Sequence, residues 1–358
     1  MLGQEAIRGR GAHWNPANRF PGGVSHVVDD TIDYDPDSDD EPKRRPETVI
    51  LEDSAKTILT HNDSPDVGAA YNLNPYRGCE HGCIYCYARP GHEYMGYSAG
   101  LDFETKIFVK RDAPMLLRRE LSAKNWRPEP ISLSGITDVY QPIERELRIT
   151  RQCIEVLLDF RQPVGIITKN RLVTRDIDLL AEMASFGCVA VFVTVTTLDL
   201  KLNRILEPRT SAPTQRLDAI RQLSAAGIPV GVMVAPVIPG LTDHETPAIL
   251  EAVAEAGARR ANYIMLRLPY AVAPLFESWL DEHYPDRKEK VLNRLRSLRG
   301  GKLYKADYAT RMKGEGEFAE QQANLFRIAC KKYGLNQEHT PLSVEHFRRP
   351  GQDQMLLF

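Results

Sequence analysis

Short apolar runs rich in β-branched residues alternate with helical patterns from about residue 131 onward. The runs are ISLSG (131–135), VGIITK (164–169), VAVFVTV (189–195), VGVMVA (230–235) and ANYIML (261–266). A similar run, AAYNLN (69–74), precedes them. Strands that alternate with helices at intervals of roughly thirty residues are typical of βαβ units, so the pattern predicts a parallel sheet.

The segments between the runs carry helix signals. Residues 147–160 place apolar side chains at helical spacing, and Thr174 and Gly187 read as the cap and the stop of the next helix. Thr246 and Gly257 read in the same way for a later helix. The expected fold is therefore α/β, a partial (βα)6 parallel TIM-like barrel with a helical C-terminal extension.

Changes in local composition and in hydrophobic pattern divide the chain into four parts. Residues 1–64 contain the acidic run DDTIDYDPDSDDE and are expected to be largely flexible, and residues 65–270 form the partial barrel. Residues 271–345 form the helical extension, with predicted docking positions Trp279, Leu280, Val291, Leu292 and Leu295 and a helix near 317–333. Residues 346–358 form a tail.

Composition excludes some classes of protein. The chain is 42% hydrophobic and 26% charged and has no run of about 18 apolar residues, which argues against a membrane protein. Its net charge of -2 argues against wholesale electrostatic binding of nucleic acid. The first residues lack a signal-peptide core, so we expect a cytoplasmic protein without disulfides.

Three of the six cysteines fall within the stretch CEHGCIYCYARPGHEY, residues 79–94. The spacing Cys79-x3-Cys83-x2-Cys86 lets three thiolates curl around one metal centre. A [4Fe-4S] cluster normally takes four cysteines, so three would leave one iron open to a ligand. The alternative is a Cys3His zinc site that uses His81 or His92. The other cysteines, Cys153, Cys188 and Cys330, are isolated from one another.

The cysteine loop resembles that of the radical S-adenosylmethionine superfamily, CxxxCx(aromatic)C, with Tyr85 as the aromatic residue beside the cofactor. The resemblance implies that Cys79, Cys83 and Cys86 hold a [4Fe-4S] cluster whose fourth iron binds S-adenosyl-L-methionine. It also implies an external electron donor and the release of a 5'-deoxyadenosyl radical.

Further stretches are similar to the spore photoproduct lyase-like branch, and to bacterial proteins labelled DNA repair photolyases. They are NPYRGCEHGCIYCYARPGHEY, GLDFETKIFVK, TDVYQPIE, TKN, TTLD, EPR, GIPVGVMVAPVIPGL and LRLP. The chain departs from the lyase in one respect. Where the lyase has a hydrogen-donating cysteine, this chain reads SLSGITD, with Ser134 and Gly135, so lyase-type thymine dimer reversal is in doubt.

Polar residues follow the predicted strands, where the functional groups of a parallel barrel gather. By resemblance, Thr137 and Asp138 contact the methionine moiety, and Lys169 pairs with its carboxylate. Thr194 and Thr196 are two residues apart on one strand face, so one of them could hydrogen-bond the cofactor or simply be packed.

Three further residues are candidates for substrate binding. Glu207 and Arg209 could pair with each other or with a ligand. Arg267, at the end of the last strand, suits a substrate phosphate, with a structural ion pair as the alternative.

Two segments bear on partners. Residues 287–305, RKEKVLNRLRSLRGGKLYK, could follow a phosphate backbone or form a solvated helix face. The last residues, QMLLF (Gln354–Phe358), resemble the peptide by which bacterial repair proteins dock on the sliding clamp, and exposed terminal hydrophobics need a partner surface.

The sequence thus predicts a radical enzyme that abstracts hydrogen from a nucleic-acid lesion or a nucleoside, in DNA repair or nucleic-acid modification. Two alternatives stay open. One is a radical enzyme that acts on a peptide or a metabolite. The other is a non-catalytic iron-sulfur or zinc binding module.

Overall fold

A seven-stranded sheet forms the centre of the computed structural model. The structure describes residues 9–20, 46–66, 68–308, 310–338 and 341–351. The acidic segment 29–45 and Gln354–Phe358 lie outside the described residues. Within them, no helix is long and apolar enough to cross a membrane.

Two sheets contain the described strands. The strands are β1 (Val49–Glu52), β2 (Leu59–His61), β3 (Tyr71–Leu73), β4 (Tyr76–Arg77), β5 (Lys106–Val109), β6 (Ile131–Leu133), β7 (Val164–Thr168), β8 (Val189–Thr194), β9 (Val230–Val237) and β10 (Arg260–Met265). The large sheet has the order β10-β9-β8-β7-β6-β3-β2, and only the β2–β3 pair is antiparallel. Strands β3 and β6 to β10 are therefore six parallel strands, which confirms the predicted partial (βα)6 barrel.

Helices cover the outside of the large sheet. They are α1 (Leu101–Thr105), α2 (Ala113–Ser122), α3 (Glu144–Leu147), α4 (Ile149–Phe160), α5 (Ile177–Ser185), α6 (Leu200–Leu206), α7 (Pro213–Ala225), α8 (Thr246–Glu255), α9 (Val272–His283), α10 (Pro285–Ser297) and α11 (Glu317–Lys332). The main core lies between sheet and helices, where strand residues such as Ile166, Val191 and Val232 are fully buried. Such near-continuous apolar strands are expected when both faces of a parallel sheet are covered.

Helix ends match the sequence signals in part. Gly187 and Gly257 follow α5 and α8 with positive φ, as predicted for stops. The predicted cap at Thr174 was wrong, because Asn170 accepts a hydrogen bond from the Leu172 N–H at 3.0 Å and begins a 3-10 turn ahead of α5. Helix α8 begins at Thr246 itself, one residue earlier than expected.

The predicted helical extension is present. All five predicted docking side chains are buried where α9 and α10 pack beside α6. Helix α11 lies against α8, and Gln322 Nε2 donates a hydrogen bond to Thr246 Oγ1 at 2.9 Å. This extension covers one flank of the barrel.

The described parts of region 1–64 differ from the expected flexibility. Strand β1 pairs with β5, and β2 pairs with β3 of the large sheet. Residues 9–20 lie over the cysteine loop so closely that a Cβ on Gly11 would sit 1.7 Å from the carbonyl oxygen of Gly82. These contacts connect residues far apart in sequence, so local composition does not reveal them.

A fully buried ion pair joins the cysteine loop to these surroundings. The side chains of Arg89 and Glu104 are both 0% exposed. Arg89 also donates to the Cys83 carbonyl at 3.0 and 2.9 Å, and Glu104 accepts from the Gly11 and Ala12 N–H groups at 2.9 and 2.8 Å. Arg89 donates in addition to the Ala99 and Gly100 carbonyls at 3.2 and 2.9 Å, so the pair fixes three segments of backbone at once.

We expect Glu104→Gln to lower the free energy of unfolding by about 3–5 kcal/mol, because Arg89 would keep a buried charge without its counterion. The matched control is Glu52→Gln, which breaks an exposed pair with Arg111 and should cost less than about 1 kcal/mol. Guanidinium unfolding of both variants measures the difference. Equal losses would contradict the structural role of the buried pair.

Candidate functional site

An open cavity lies at the carboxyl ends of the parallel strands. Its walls come from the cysteine loop and from the ends of β6 to β10, and its volume is about 1030 Å³ with the solvent-open mouth included. The predicted position of the site, at the carboxyl ends of the strands, therefore coincides with a cavity among the described residues.

The cysteine loop begins directly after β4, and its three cysteines line the cavity. Cys79 and Cys83 are buried, and Cys86 is half-buried. Gly78 and Gly82 have φ values of +79° and +67°, a region that favours glycine. A Cβ would also lie 2.9 Å from Lys106 O at Gly78 and 2.7 Å from Glu104 Oε2 at Gly82, so close packing requires glycine here.

The donor set fits a cationic centre. Burial and the nearby Glu207 carboxylate raise the pKa of Cys83 well above its ordinary value, and burial and Cys79 raise the pKa of Cys86. Thiols that resist ionisation need a metal to become thiolates. Cys79, Cys83 and Cys86 line one wall of the cavity and are suited to hold an iron-sulfur cluster.

The zinc alternative needs a histidine as its fourth ligand, and both candidate histidines have other neighbours. His81 lines the cavity, but its Nδ1 lies 3.3 Å from Asp138 and its Nε2 lies 3.2 Å from Asn170 Nδ2. His92 packs among aromatic rings, with centroids 5.6 Å from Phe103 and 5.8 Å from Phe108.

Thr137 and Asp138 hold the loop to the strand ends. Thr137 Oγ1 donates to the Gly78 carbonyl at 2.7 Å. Asp138 accepts from Thr168 Oγ1 and from the Lys169 N–H, both at 2.8 Å. Burial would raise the pKa of Asp138, but His81 and these donors outweigh it and hold the pKa below its ordinary value. Both residues line the cavity, and their contact with the methionine moiety stays a prediction.

Glu207 is the centre of a buried network behind Tyr85. Its carboxylate accepts hydrogen bonds from Tyr85 and from Arg216, and from Thr196 Oγ1 at 2.7 Å. Burial would raise the pKa of Glu207, but Arg216 and Lys169 outweigh it and lower the pKa to about 2. The tyrosine ring itself lines the cavity. Glu207 therefore positions the aromatic residue of the loop.

The two threonines point to different surroundings. Thr194 ends β8 and lines the cavity, whereas Thr196 Oγ1 contacts Glu207 and the Ala235 carbonyl. The expected common face fails because the strand ends at Thr194. Thr194 is therefore the one of the pair that lines the cavity, and its contact with a cofactor stays a prediction.

The structure separates Arg209 from Glu207. The Arg209 guanidinium lies 3.3 Å from the Glu80 carboxylate, and the backbone N–H of Arg209 donates to the His81 carbonyl at 3.2 Å. Glu207 pairs with Arg216 instead, so the expected mutual pair does not form. Binding of a substrate by either residue stays a prediction.

Two cations do face the cavity. Lys169 has its Nζ 5.8 Å from the Tyr85 ring centroid, and Arg267 lies 4.6 Å from the Tyr87 ring centroid. Neither forms an ion pair with a carboxylate of the described residues, so the expected structural ion pair of Arg267 is not observed there. Cations that form no ion pair at a cavity wall are suited to bind anionic ligands.

Sequence reasoning missed several residues of the site. The Asn170 side-chain amide is hydrogen-bonded to the His81 ring, and Arg216 forms the ion pair with Glu207. Arg216 lies three, four and seven residues before Ala219, Ile220 and Leu223, on one apolar helix face. A charged residue in that stripe was the available signal. Tyr87, next to Cys86, also lines the cavity.

Comparison with known proteins gives matches to the sequence and to the fold. The profile of the Radical SAM superfamily matches residues 73–253. An uncharacterized protein of Mycobacterium bovis is 36% identical over 278 residues, 77% of this chain and 78% of the relative. The Radical SAM Nalpha-GlyT isomerase of Pseudomonas phage M6 is 25% identical over 244 residues, which cover 66% of this chain and 48% of the isomerase.

Among solved structures, spore photoproduct lyase complexed with dinucleoside spore photoproduct superposes with a TM-score of 0.60. The two chains are 17% identical, and the match covers 80% of each. At this identity the likeness shows the fold.

We expect the variants Cys79→Ala, Cys83→Ala and Cys86→Ala each to lose the bound cluster, because each thiol supplies one ligand. After oxygen-free reconstitution, wild-type protein should carry about four irons per chain and the variants close to none. Cys188→Ala is the control, since Cys188 does not line the cavity. Iron and sulfide analysis measures the outcome, and one zinc per chain in the wild type would contradict it.

Proposed function

Because the chain belongs to the radical S-adenosylmethionine superfamily, we propose that it is an enzyme that abstracts hydrogen from nucleic acid at the cavity. The superfamily uses a [4Fe-4S] cluster and S-adenosylmethionine. When bound, these cofactors supply a 5'-deoxyadenosyl radical as the hydrogen acceptor. Cys79, Cys83 and Cys86 would hold the cluster.

Lys169 is our candidate for the carboxylate of S-adenosylmethionine. Its ammonium lines the same cavity as the three thiols and lies beside the Tyr85 ring. The Glu207 network fixes that ring from behind. Tyr85 and Thr194 would then supply packing and a hydroxyl for the rest of the cofactor.

The observation that carries a nucleic-acid substrate is Arg267. Its guanidinium lines the cavity, and no carboxylate of the described residues neutralises it. Burial lowers the pKa of Arg267, so an anionic ligand would relieve an unfavourable buried charge. Arginine binds phosphate with particular strength. The dinucleoside complex of spore photoproduct lyase supports this proposal, since that protein has a similar fold.

The reaction should differ from that of the lyase in how a hydrogen returns. Ser134 stands where the sequence resemblance expected a thiol, and its hydroxyl donates to the Thr137 carbonyl. Among the described cysteines, only the three of the loop line the cavity. We therefore propose hydrogen abstraction without a cysteine as the returning donor. Docking of Gln354–Phe358 on a sliding clamp, a role in DNA repair and an external electron donor remain part of this proposal.

The test is oxygen-free incubation of the reconstituted enzyme with S-adenosylmethionine, reductant and deuterated DNA. Deuterium should appear in 5'-deoxyadenosine, and the Cys86→Ala variant should produce none. A deuterated peptide mixture tests the rival substrate class. Cleavage of S-adenosylmethionine with no label from DNA or nucleosides, or with label from peptides, would overturn the nucleic-acid assignment.

We expect Lys169→Met to weaken S-adenosylmethionine binding by about 10- to 100-fold, because a charge-assisted hydrogen bond to a carboxylate contributes about 1.5–3 kcal/mol. Iron content should stay at the wild-type value, since Lys169 is not a cluster ligand. Lys201→Met, on the exposed side of α6, is the matched control. Equilibrium binding to reconstituted protein decides, and an affinity within twofold of wild type would exclude this role.

A further inference from the structure

Four tyrosines are grouped at the mouth of the cavity, and we call Tyr87, Tyr270, Tyr304 and Tyr308 the tyrosine rim. Tyr87 is 50% exposed, Tyr270 59% and Tyr308 51%, and Tyr304 is partly exposed. Tyr87 lines the cavity, and the ring centroids of Tyr270 and Tyr304 are 6.2 Å apart. Large aromatic side chains left open to solvent in one patch indicate a binding surface.

Arginines alternate with these rings. Arg19 lies 3.8 Å from the Tyr270 centroid, and Arg311 lies 4.3 Å from the Tyr308 centroid. Arg267 lies 4.6 Å from the Tyr87 centroid, and the N–H of Met265 at the cavity wall donates to the carbonyl of Met312, the residue after Arg311, at 2.9 Å. Each of the three tyrosines beside an arginine keeps at least half of its surface exposed.

The backbone of Tyr270 supplies an independent observation. Its φ is +49°, a left-handed conformation that is uncommon for a residue with a bulky side chain. A residue held in such a conformation is often part of a functional site. In this conformation the Tyr270 ring stands at the rim, where Arg19 stacks on it.

The cationic side chains near the tyrosine rim favour a polyanion as the ligand. Arg19 is paired with Glu93 at 2.6 Å and Arg311 with Asp66 at 2.5 Å, whereas Arg267 has no ion pair with a described residue. Helix α10 and the loop after it lead to Tyr304 and present the exposed cations Arg287, Lys290 and Lys302. The side chain of Lys290 lies 3.6 Å from the Cβ position of Gly240, just beyond the carboxyl end of β9.

We propose that the tyrosine rim binds single-stranded nucleic acid, with unpaired bases stacked on the rings and the phosphate of the entering nucleotide on Arg267. This inference rests on the proposed function and deepens it. Aromatic rings that alternate with cations are the recognition chemistry of single strands, because stacking requires base faces that a duplex keeps covered. DNA and RNA strands share this chemistry.

The test measures binding without turnover, by fluorescence anisotropy of the reconstituted enzyme with a short labelled oligonucleotide. The probes are a single DNA strand, the same sequence as a DNA duplex, and the same sequence as a single RNA strand. The comparison of the two single strands shows whether the rim prefers deoxyribose or ribose. We expect the single strand to bind at least tenfold more tightly than the duplex. Tyr270→Ala and Tyr308→Ala should each weaken binding about 5- to 100-fold.

Tyr270→Phe and Tyr308→Phe are the matched controls, since they keep the ring and should bind like the wild type. Iron content and melting temperature confirm that each variant is folded. Equal affinity for duplex and single strand, or alanine variants within twofold of wild type, would overturn the inference. The proposed function would survive that result if deuterium still passed from DNA, whereas a rim that binds strands without any deuterium transfer would contradict the proposed function alone.

Discussion

The buried ion pair between Arg89 and Glu104 is the constraint on which the site depends. Arg89 holds the Cys83 carbonyl, and Glu104 holds the backbone of Gly11 and Ala12. Burying two charges is costly unless every remaining hydrogen-bonding group is satisfied, and here each charged group has several partners. The segment between β4 and α1 therefore has a defined shape, although a 3-10 helix, Arg89–Met95, is the regular element that it contains.

The acidic and the basic side chains that surround the cavity differ in whether they have partners within the protein. The carboxylates of Asp138 and Glu207 are hydrogen-bonded to other protein groups, whereas Lys169 and Arg267 form no ion pair with a carboxylate of the described residues. The wall that carries the cysteines thus combines fixed internal anions with cations open to the cavity. Such an arrangement favours ligands that carry a carboxylate or a phosphate group.

The sequence predicted the parts of this site that depend on local patterns. Apolar runs identified the six parallel strands, and cysteine spacing identified the loop, because each signal lies within a few residues. The partner of Glu207 was missed, since Arg216 reaches it only after α7 has packed. Residues 9–20 were also missed, because their contacts with Glu104 span about ninety positions of the chain. Pairings set by tertiary geometry leave little trace in local composition.

The close approach of Gly11 to Gly82 has a consequence for substitution at position 11. The backbone of Gly11 lies directly on the cysteine loop, so any side chain added there would collide with the peptide group of Gly82. A part of the chain that local composition marks as flexible is thus restricted in sequence by its steric fit to that loop.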